Sequence, residues 1–436
     1  MPHPSPVSRE VPGEGTVRPG NGSSRWVALE CLRCGRESPP DTLGRCGNCQ
    51  GILSARYSMK GYQWGTMGTR SLWEFQEVLP PVPDAFRTSL GEGSTPYVPL
   101  AHLGREVGLP HLLAKLEGTN PTGSFKDRAA ALGVSLARTR GARGVFTASS
   151  GNAASAIAAY CARAGLPCVV MAREDITASK RMQIGMYGAR IVPVRHLFDT
   201  EDTLTQALRA AGRAAPDFAN LFVWAPWNPL LVDAMKTIAY EMALQGPLPD
   251  AVLVPVAGGD LLYGIHKGFS ELREAGLIPA TPRMIAVQGE GASPLVTSFL
   301  AGHEEVLRGT RADTVAGALR VTFGGEHALQ ALRESGGTAV AVPDAAILAA
   351  QRRIAAREGI FCEVSSATTV AALESLRTSG QLGPGDTVAV ILTGLGFKDH
   401  PADMVGSAPE ASREISEIDA GLFHGTHGEP RSRPAP

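Results

Sequence analysis

The chain lacks a charge excess of either sign. Its 41 lysines and arginines meet 42 acidic residues, a formal net charge of −1 over 436 residues, so it carries no basic footprint for nucleic acid or an anionic membrane surface. Long apolar runs are missing too. Nothing approaches the roughly 20 residues a membrane span requires, and residues 1–24, rich in Pro, Gly and Ser, hold no apolar signal core. These absences predict a cytoplasmic protein with no nucleic-acid or membrane partner. Cysteine is sparse, seven residues in all, and no internal repeat is present. With 44% hydrophobic residues the chain can bury large cores, and its length suggests two or three domains.

Four of those cysteines stand together. Cys31-Leu32-Arg33-Cys34 and Cys46-Gly47-Asn48-Cys49 are two C-x-x-C knuckles separated by eleven residues, and four thiolates suit tetrahedral zinc. A pair of disulfides or a redox dithiol are the rival readings; without a secretion signal, zinc is favoured. A module this small cannot hold itself together by its core alone, so a structural metal is physically reasonable. Four cysteines leave no open coordination site, so the metal is given no catalytic role. Cys161, Cys168 and Cys362 sit in apolar contexts and read as core residues.

The chain divides into four parts. Residues 1–25 are expected to be disordered, 26–62 form the cysteine module, 63–405 form an α/β body, and 406–436 form a flexible tail. In the body, short apolar strands such as Pro167–Met171, Ile191–Val194 and Ala251–Val256 alternate with helical segments. That alternation predicts parallel sheet covered by helices.

Four segments of the body carry chemistry. In Asn120-Pro121-Thr122-Gly123-Ser124-Phe125-Lys126-Asp127-Arg128, a strand over Leu112–Glu117 runs through a turn into a helix over Ser124–Arg138, which sets Lys126 at the helix mouth. A partly desolvated lysine there can supply a neutral amine that condenses with an aldehyde; taken alone, it is more simply a solvated lysine. Ser149-Ser150-Gly151-Asn152-Ala153-Ala154 follows the strand Gly144–Ala148 and opens a helix whose first N–H groups suit a substrate carboxylate, with the Asn152 amide free to donate to a ring hydroxyl. The bland alternative is a well-capped helix. Val252–Leu261 is a buried-type strand running into Ala257-Gly258-Gly259-Asp260-Leu261, which has the form of a phosphate cup, although tight turns use Gly pairs routinely. Val388–Thr393 is a last strand whose terminal hydroxyl could face a heterocyclic nitrogen without protonating it.

Together these segments resemble the fold-type II pyridoxal-phosphate enzymes, and among them the threonine synthase group. The resemblance runs from Gly91-Glu92-Gly93-Ser94-Thr95-Pro96 to Asp399 and includes Gln288–Leu295, Gly359–Glu363 and Ser365-Ser366-Ala367. It implies a two-domain body like the tryptophan synthase β chain, a homodimer, and pyridoxal 5'-phosphate bound as an aldimine to Lys126. It further implies that Asn152 holds the ring hydroxyl, Thr393 faces the pyridine nitrogen, and Ala257, Gly258, Gly259, Asp260 and Leu261 bind the phosphate. Ser149, Ser150, Gly151 and Ala153 would bind the amino-acid substrate. Zinc ribbons also occur in some threonine-synthase-like proteins, with Cys31, Cys34, Cys46 and Cys49 as the ligands here.

Departures from the group restrict the substrate. Threonine synthases carry Asn and Ser two to three residues ahead of an Asn-Pro and an Arg soon after it; this chain reads Ala225-Pro226-Trp227-Asn228-Pro229-Leu230-Leu231, with Leu231 at the arginine position. Ala153 stands where Thr is common, and Gly258 where Asn occurs. Those side chains grip the substrate's phosphate, and an apolar wall cannot replace them. The expected activity is therefore elimination or replacement at the β or γ carbon of an amino acid, through an aldimine and an unsaturated imine, on a substrate other than O-phosphohomoserine. Threonine synthase itself, a cysteate-synthase-like or serine/threonine dehydratase activity, and a non-catalytic cofactor-binding protein are the alternatives. Asp260 either turns outward or bonds loop amides. Trp224 and Trp227 either line an enlarged pocket or pack in the core. His196, His266 and His400 are left out of the site.

Overall fold

The computed structural model describes residues 24–63, 71–309 and 312–399. Almost all of the segment expected to be disordered, and all of the expected tail, lie outside these residues, as does His400. In the cysteine module, β1 (Trp26–Cys31), β2 (Glu37–Ser38) and β3 (Leu53–Tyr57) pair antiparallel in the order β2-β1-β3. Its apolar residues do not form a separate core: Leu29, Ile52, Leu53 and Tyr57 belong to the same cluster as Leu262, Ile265 and Phe269 of the body. Tyr263 Oη donates to Ser54 Oγ at 2.9 Å and Lys267 Nζ to the Ala55 carbonyl at 2.6 Å. The ribbon is thereby bonded to the helix Asp260–Glu274.

The body opens with β4 (Tyr97–Pro99) and β5 (His111–Leu116). The chain then crosses to β6 (Gly144–Ala148), β7 (Cys168–Ala172), β8 (Arg190–Pro193) and β9 (Phe218–Asn220), which form an all-parallel sheet in the order β8-β7-β6-β9. It returns through β10 (Ala251–Pro255), β11 (Arg283–Gly289), β12 (Thr338–Val342) and β13 (Thr387–Leu392). These join the first two strands in a six-stranded sheet, β12-β11-β10-β13-β5-β4, parallel except for its β4 edge. The mainly Val/Ile/Leu/Ala character of β10 and β13 is what a strand covered by helices on both faces requires, and all five residues of β6 and of β10 are buried.

The expected helix at Ser124 begins at Lys126 instead and runs to Thr139. The two preceding residues are held by the neighbouring strand end: Phe125 N donates to the Thr393 carbonyl at 3.0 Å, and Ser124 bridges to Gly394. Those bonds hold Ser124 and Phe125 against the end of β13, so the helix starts only after them. The consequence is functional, because the same bonds bring the turns after β5 and β13 side by side.

Candidate active site

The carboxyl ends of β5, β6, β10 and β13 meet around a cavity of about 320 Å³, the usual ligand position in parallel α/β sheets. All twelve residues that the motifs single out for cofactor and substrate line it: Lys126, Ser149, Ser150, Gly151, Asn152, Ala153, the run Ala257–Leu261, and Thr393.

Lys126 is placed by its neighbours in the motif. Arg128, fully buried, forks onto Glu117 at 2.7 and 2.8 Å and reaches Glu241 at 2.5 and 2.8 Å. Asn120 Nδ2 donates to Glu117 at 2.9 Å, and Asp127 accepts from Thr122 N and Oγ1 at 2.7 and 2.6 Å. Arg128, Asn120 and Asp127 are thereby tied to the scaffold, while Lys126 lines the cavity beside Phe125. Its Nζ lies 4.7 Å from the Phe125 ring centroid. Burial lowers its pKa from the ordinary lysine value, and the negative charge of Asp260 opposes that shift.

Asn152 opens the helix Asn152–Ala164, but its amide is not free as expected. Nδ2 donates to both oxygens of Glu363 at 2.8 and 2.9 Å, while Oδ1 is buried with no partner. Glu363 itself lines the cavity. Burial pushes its carboxyl up to about 7, with Asp399 adding to the rise and Lys180 opposing it. Thr393 Oγ1 and Ser366 Oγ share a hydrogen bond of 2.8 Å, and Ser366 Oγ also accepts from Gly394 N at 3.1 Å. The end of β13 and the helix Val364–Ala371 therefore bring together a neutral hydroxyl pair.

Asp260 does not turn outward. Its Oδ1 accepts from Ala225 N at 3.1 Å and meets His327 Nε2 at 3.0 Å. This leaves the N-terminus of the helix Asp260–Glu274 without a side-chain cap, approached through Gly259 at φ 105°, a conformation that glycine tolerates best. The Ser149 and Ser150 hydroxyls are taken up locally, accepting from Gly151 N at 3.1 Å and Arg173 N at 2.7 Å. They shape the turn, and the uncapped start of the Asn152 helix remains for an anion.

Two expectations about the departures need correcting. Leu231 and Ala225 are not a wall of the cavity. Leu231 is buried against Gly133 of the Lys126 helix, its Cδ2 3.0 Å from where a Gly133 Cβ would sit, and Ala225 contributes its backbone N–H to Asp260. The two tryptophans part company: Trp224 lines the cavity, whereas Trp227 packs on the cluster around Phe146 and Leu204. His196 pairs with Asp199 and His266 with Glu334, and neither lines the cavity. The motifs assign no role to Glu363 or His327. Glu363 had a signal, an acid opening the Ser-rich run Ser365-Ser366; His327, buried two residues beyond Gly325, had none.

The model of the family described as "Pyridoxal-phosphate dependent enzyme" matches residues 88–394, more than half of the chain. The chain belongs to this family. As a pyridoxal-phosphate dependent enzyme it is 34% identical over 402 residues to the threonine synthase of Methanosarcina acetivorans, covering 90% of this chain and 97% of that protein. Against the threonine synthase of Methanocaldococcus jannaschii the identity is 33% over 403 residues, covering 90% and 96%. Among solved structures, a threonine deaminase from T.th. is 28% identical with a TM-score of 0.57, covering 68% of this chain and 91% of that one. The fold is accordingly that of the fold-type II pyridoxal-phosphate enzymes, α/β with parallel sheets covered by helices.

The cavity of this pyridoxal-phosphate dependent enzyme fits the cofactor. Asn152 Oδ1 and Trp224 Nε1, both buried and both without a partner, are polar atoms that a bound polar group would satisfy. The uncapped helix at Asp260 offers backbone N–H groups to a phosphate. At the ribbon, the four Sγ atoms of Cys31, Cys34, Cys46 and Cys49 lie within 4.8 Å of one another. The Cys31–Cys49 and Cys34–Cys46 separations are 3.4 and 3.8 Å, close to the edge of a tetrahedron with metal–sulfur bonds of about 2.3 Å. They are far from the roughly 2.05 Å of a disulfide. Among the described residues no helix is long and apolar enough to cross a membrane.

Proposed function

We propose that this chain is a threonine-synthase-like enzyme that eliminates or replaces a β or γ substituent of an amino acid, that O-phosphohomoserine is not its preferred substrate, and that the ribbon holds one structural zinc in a homodimer. The observation that carries the reading is Lys126: a lysine with its pKa lowered by burial, facing a cavity that Asn152 and Thr393 also line. Bound pyridoxal phosphate supplies an electron sink that makes the substrate's Cα–H acidic. Lys126, its charged form disfavoured by burial, holds and returns the proton at Cα. The uncapped start of the Asn152 helix takes the substrate carboxylate, and the Ala257–Leu261 loop takes the cofactor phosphate through backbone N–H groups. Asn152 and Glu363 meet the ring hydroxyl. Thr393, backed by Ser366, meets the ring nitrogen without giving it a full proton, which favours loss or exchange of a substituent over transamination.

A second reading, threonine synthase itself, is supported by the 33–34% identity to two enzymes of that name over 90% of the chain. Offering O-phosphohomoserine, O-phosphoserine, O-acetylserine, serine and threonine to the purified protein separates the two. Rapid threonine release from O-phosphohomoserine would establish the second. For Lys126→Ala, turnover is expected to vanish on every substrate and borohydride labelling to be lost, with the melting temperature close to that of wild type. Retention of most activity would remove Lys126 from its assigned role.

A further inference from the structure

The two helices that begin at the Lys126 cavity end at a second one. Lys126 and Asn152 line the first. Arg138, Arg163 and Ala164, at the far ends of the helices Lys126–Thr139 and Asn152–Ala164, line a cavity of about 290 Å³. A helical rise of about 1.5 Å per residue puts Arg138 roughly 18 Å along the axis from Lys126. Arg87, Thr88 and Ser89 complete the lining, which contains no carboxylate.

The three guanidiniums are held differently. Arg138 is fixed by main-chain carbonyls, Nη1 donating to Phe86 at 2.8 Å and Nη2 to Ala85 at 3.2 Å; these orient its fork and leave its charge unpaired. Arg87 donates from Nε to the Val82 carbonyl at 3.2 Å and pairs with Asp84 at 2.7 Å. Burial lowers its pKa while Asp84 opposes the shift, so a further anion beside it would be stabilising. Arg163 is exposed and makes no hydrogen bond or ion pair with any described residue. Thr88 is buried, its N–H on Ser135 Oγ at 2.8 Å. Its Oγ1 accepts from Arg138 at 3.3 Å and keeps a proton to donate, whereas the Ser89 hydroxyl is spent on Glu92 at 3.0 and 3.1 Å. A helix C-terminus by itself favours one arginine in its last turn. It does not account for Arg87, which lies on neither helix, nor for the cavity that all three line.

We infer that this second cavity binds a phosphate dianion, free or as a small monoester, at a site separate from the Lys126 cavity. Guanidiniums meet phosphate oxygens as two-point forks. Asp84 offsets one of the three positive charges and leaves two for the dianion. A monocarboxylate, with two oxygens and a single charge, would leave an arginine unanswered. The volume stands at the lower end of the range for small-molecule sites, about 300–1,000 Å³, and suits a ligand of metabolite size.

The test titrates the full chain, loaded with pyridoxal phosphate, with inorganic phosphate and with glycerol 3-phosphate, by calorimetry in a chloride buffer at about pH 8, where both are dianions. Saturable binding at millimolar concentration or below is expected. Arg163→Gln removes a side chain without a partner, so the melting temperature should hold while the affinity falls by about tenfold or more. Arg163→Lys, which keeps the charge and loses the fork, should fall in between. Arg173→Gln, altered in the Lys126 cavity, should leave the titration unchanged. Tighter binding of the ester assigns the site to a phosphorylated metabolite, and equal or tighter binding of inorganic phosphate assigns it to the free ion; either supports the inference. An affinity that follows Arg173 and ignores Arg163, or the absence of saturable heat with both ligands, would overturn it.

Discussion

Glu363 is the residue whose ionisation most directly ties the cavity to pH. It is buried, its carboxyl is raised to about 7 mainly by that burial, and it receives the Asn152 amide on both oxygens. The sign follows from the direction of the shift. Below the ordinary glutamate value both folded and unfolded chains are protonated, and nothing is lost. Between there and about 7 the unfolded chain releases a proton that the folded chain retains, so stability falls as pH rises and levels off above about 7. The total is on the order of 3 kcal/mol. Asp127, also raised to about 7 by burial, superimposes a similar slope. Urea denaturation of Glu363→Gln at pH 5, 6, 7 and 8 is therefore expected to show roughly half the wild-type pH dependence. An unchanged slope would mean that Glu363 titrates normally.

At the scale of elements, the four motif segments are turns fixed by what lies behind them. The charged residues around Lys126 are anchors: Arg128, Glu117 and Glu241 form a buried ion cluster, joined by Lys115 at 2.7 Å from Glu241, that clamps the turn between β5 and the Lys126 helix. Leu231 belongs to the same packing. It seats the Pro229–Val232 turn on Gly133 of that helix, so Leu231→Arg should place an unpaired charge in the core and not in the cavity. The expected outcome is a loss of about 3 kcal/mol or more of stability, seen as a lower denaturation midpoint, with no gain in inorganic phosphate affinity. A stable variant that binds phosphate more tightly would show that the side chain reaches the cavity after all.

At the scale of the whole molecule, the cysteine module and the Ala257–Leu261 loop are one structure. Arg33 and Arg45, each beside a cysteine of the four-thiol cluster, both reach Glu326, at 3.4 and 2.9 Å. The next residue, His327, bonds Asp260, and Gly325 N donates to the Gly258 carbonyl at 3.0 Å. Tyr263 and Lys267 tie the same helix to β3. Structural metal sites contribute folding free energy outright, so Cys34→Ser, or chelation of the wild type, should raise hydrogen exchange in the ribbon first. Exchange should then rise at residues 258–262, with the pyridoxal phosphate dissociation constant increasing several-fold while Lys126 remains reactive to borohydride. Metal analysis should return about one zinc per wild-type chain. Exchange confined to the ribbon, with cofactor affinity unchanged, would show that the two are uncoupled.

What the sequence determined by itself is what local chemistry enforces. The buried-type strands, the Gly and Ser punctuation after them, Lys126 at a helix mouth, and the paired C-x-x-C knuckles are each short-range patterns, and each can be read without knowing what lies opposite. Only the tertiary structure decided the pairings. Asn152 faces Glu363 across 211 positions, Asp260 meets His327 across 67, and Trp224 occupies the space that Gly258 leaves open. Whether Leu231 points into the cavity or into the core was settled the same way, by the packing of the Pro229–Val232 turn on a helix almost a hundred residues upstream. No periodicity records such contacts, because burial and desolvation depend on which distant surfaces meet, and those are the terms that set the amide's partner, the carboxyl's proton and the indole's unanswered N–H.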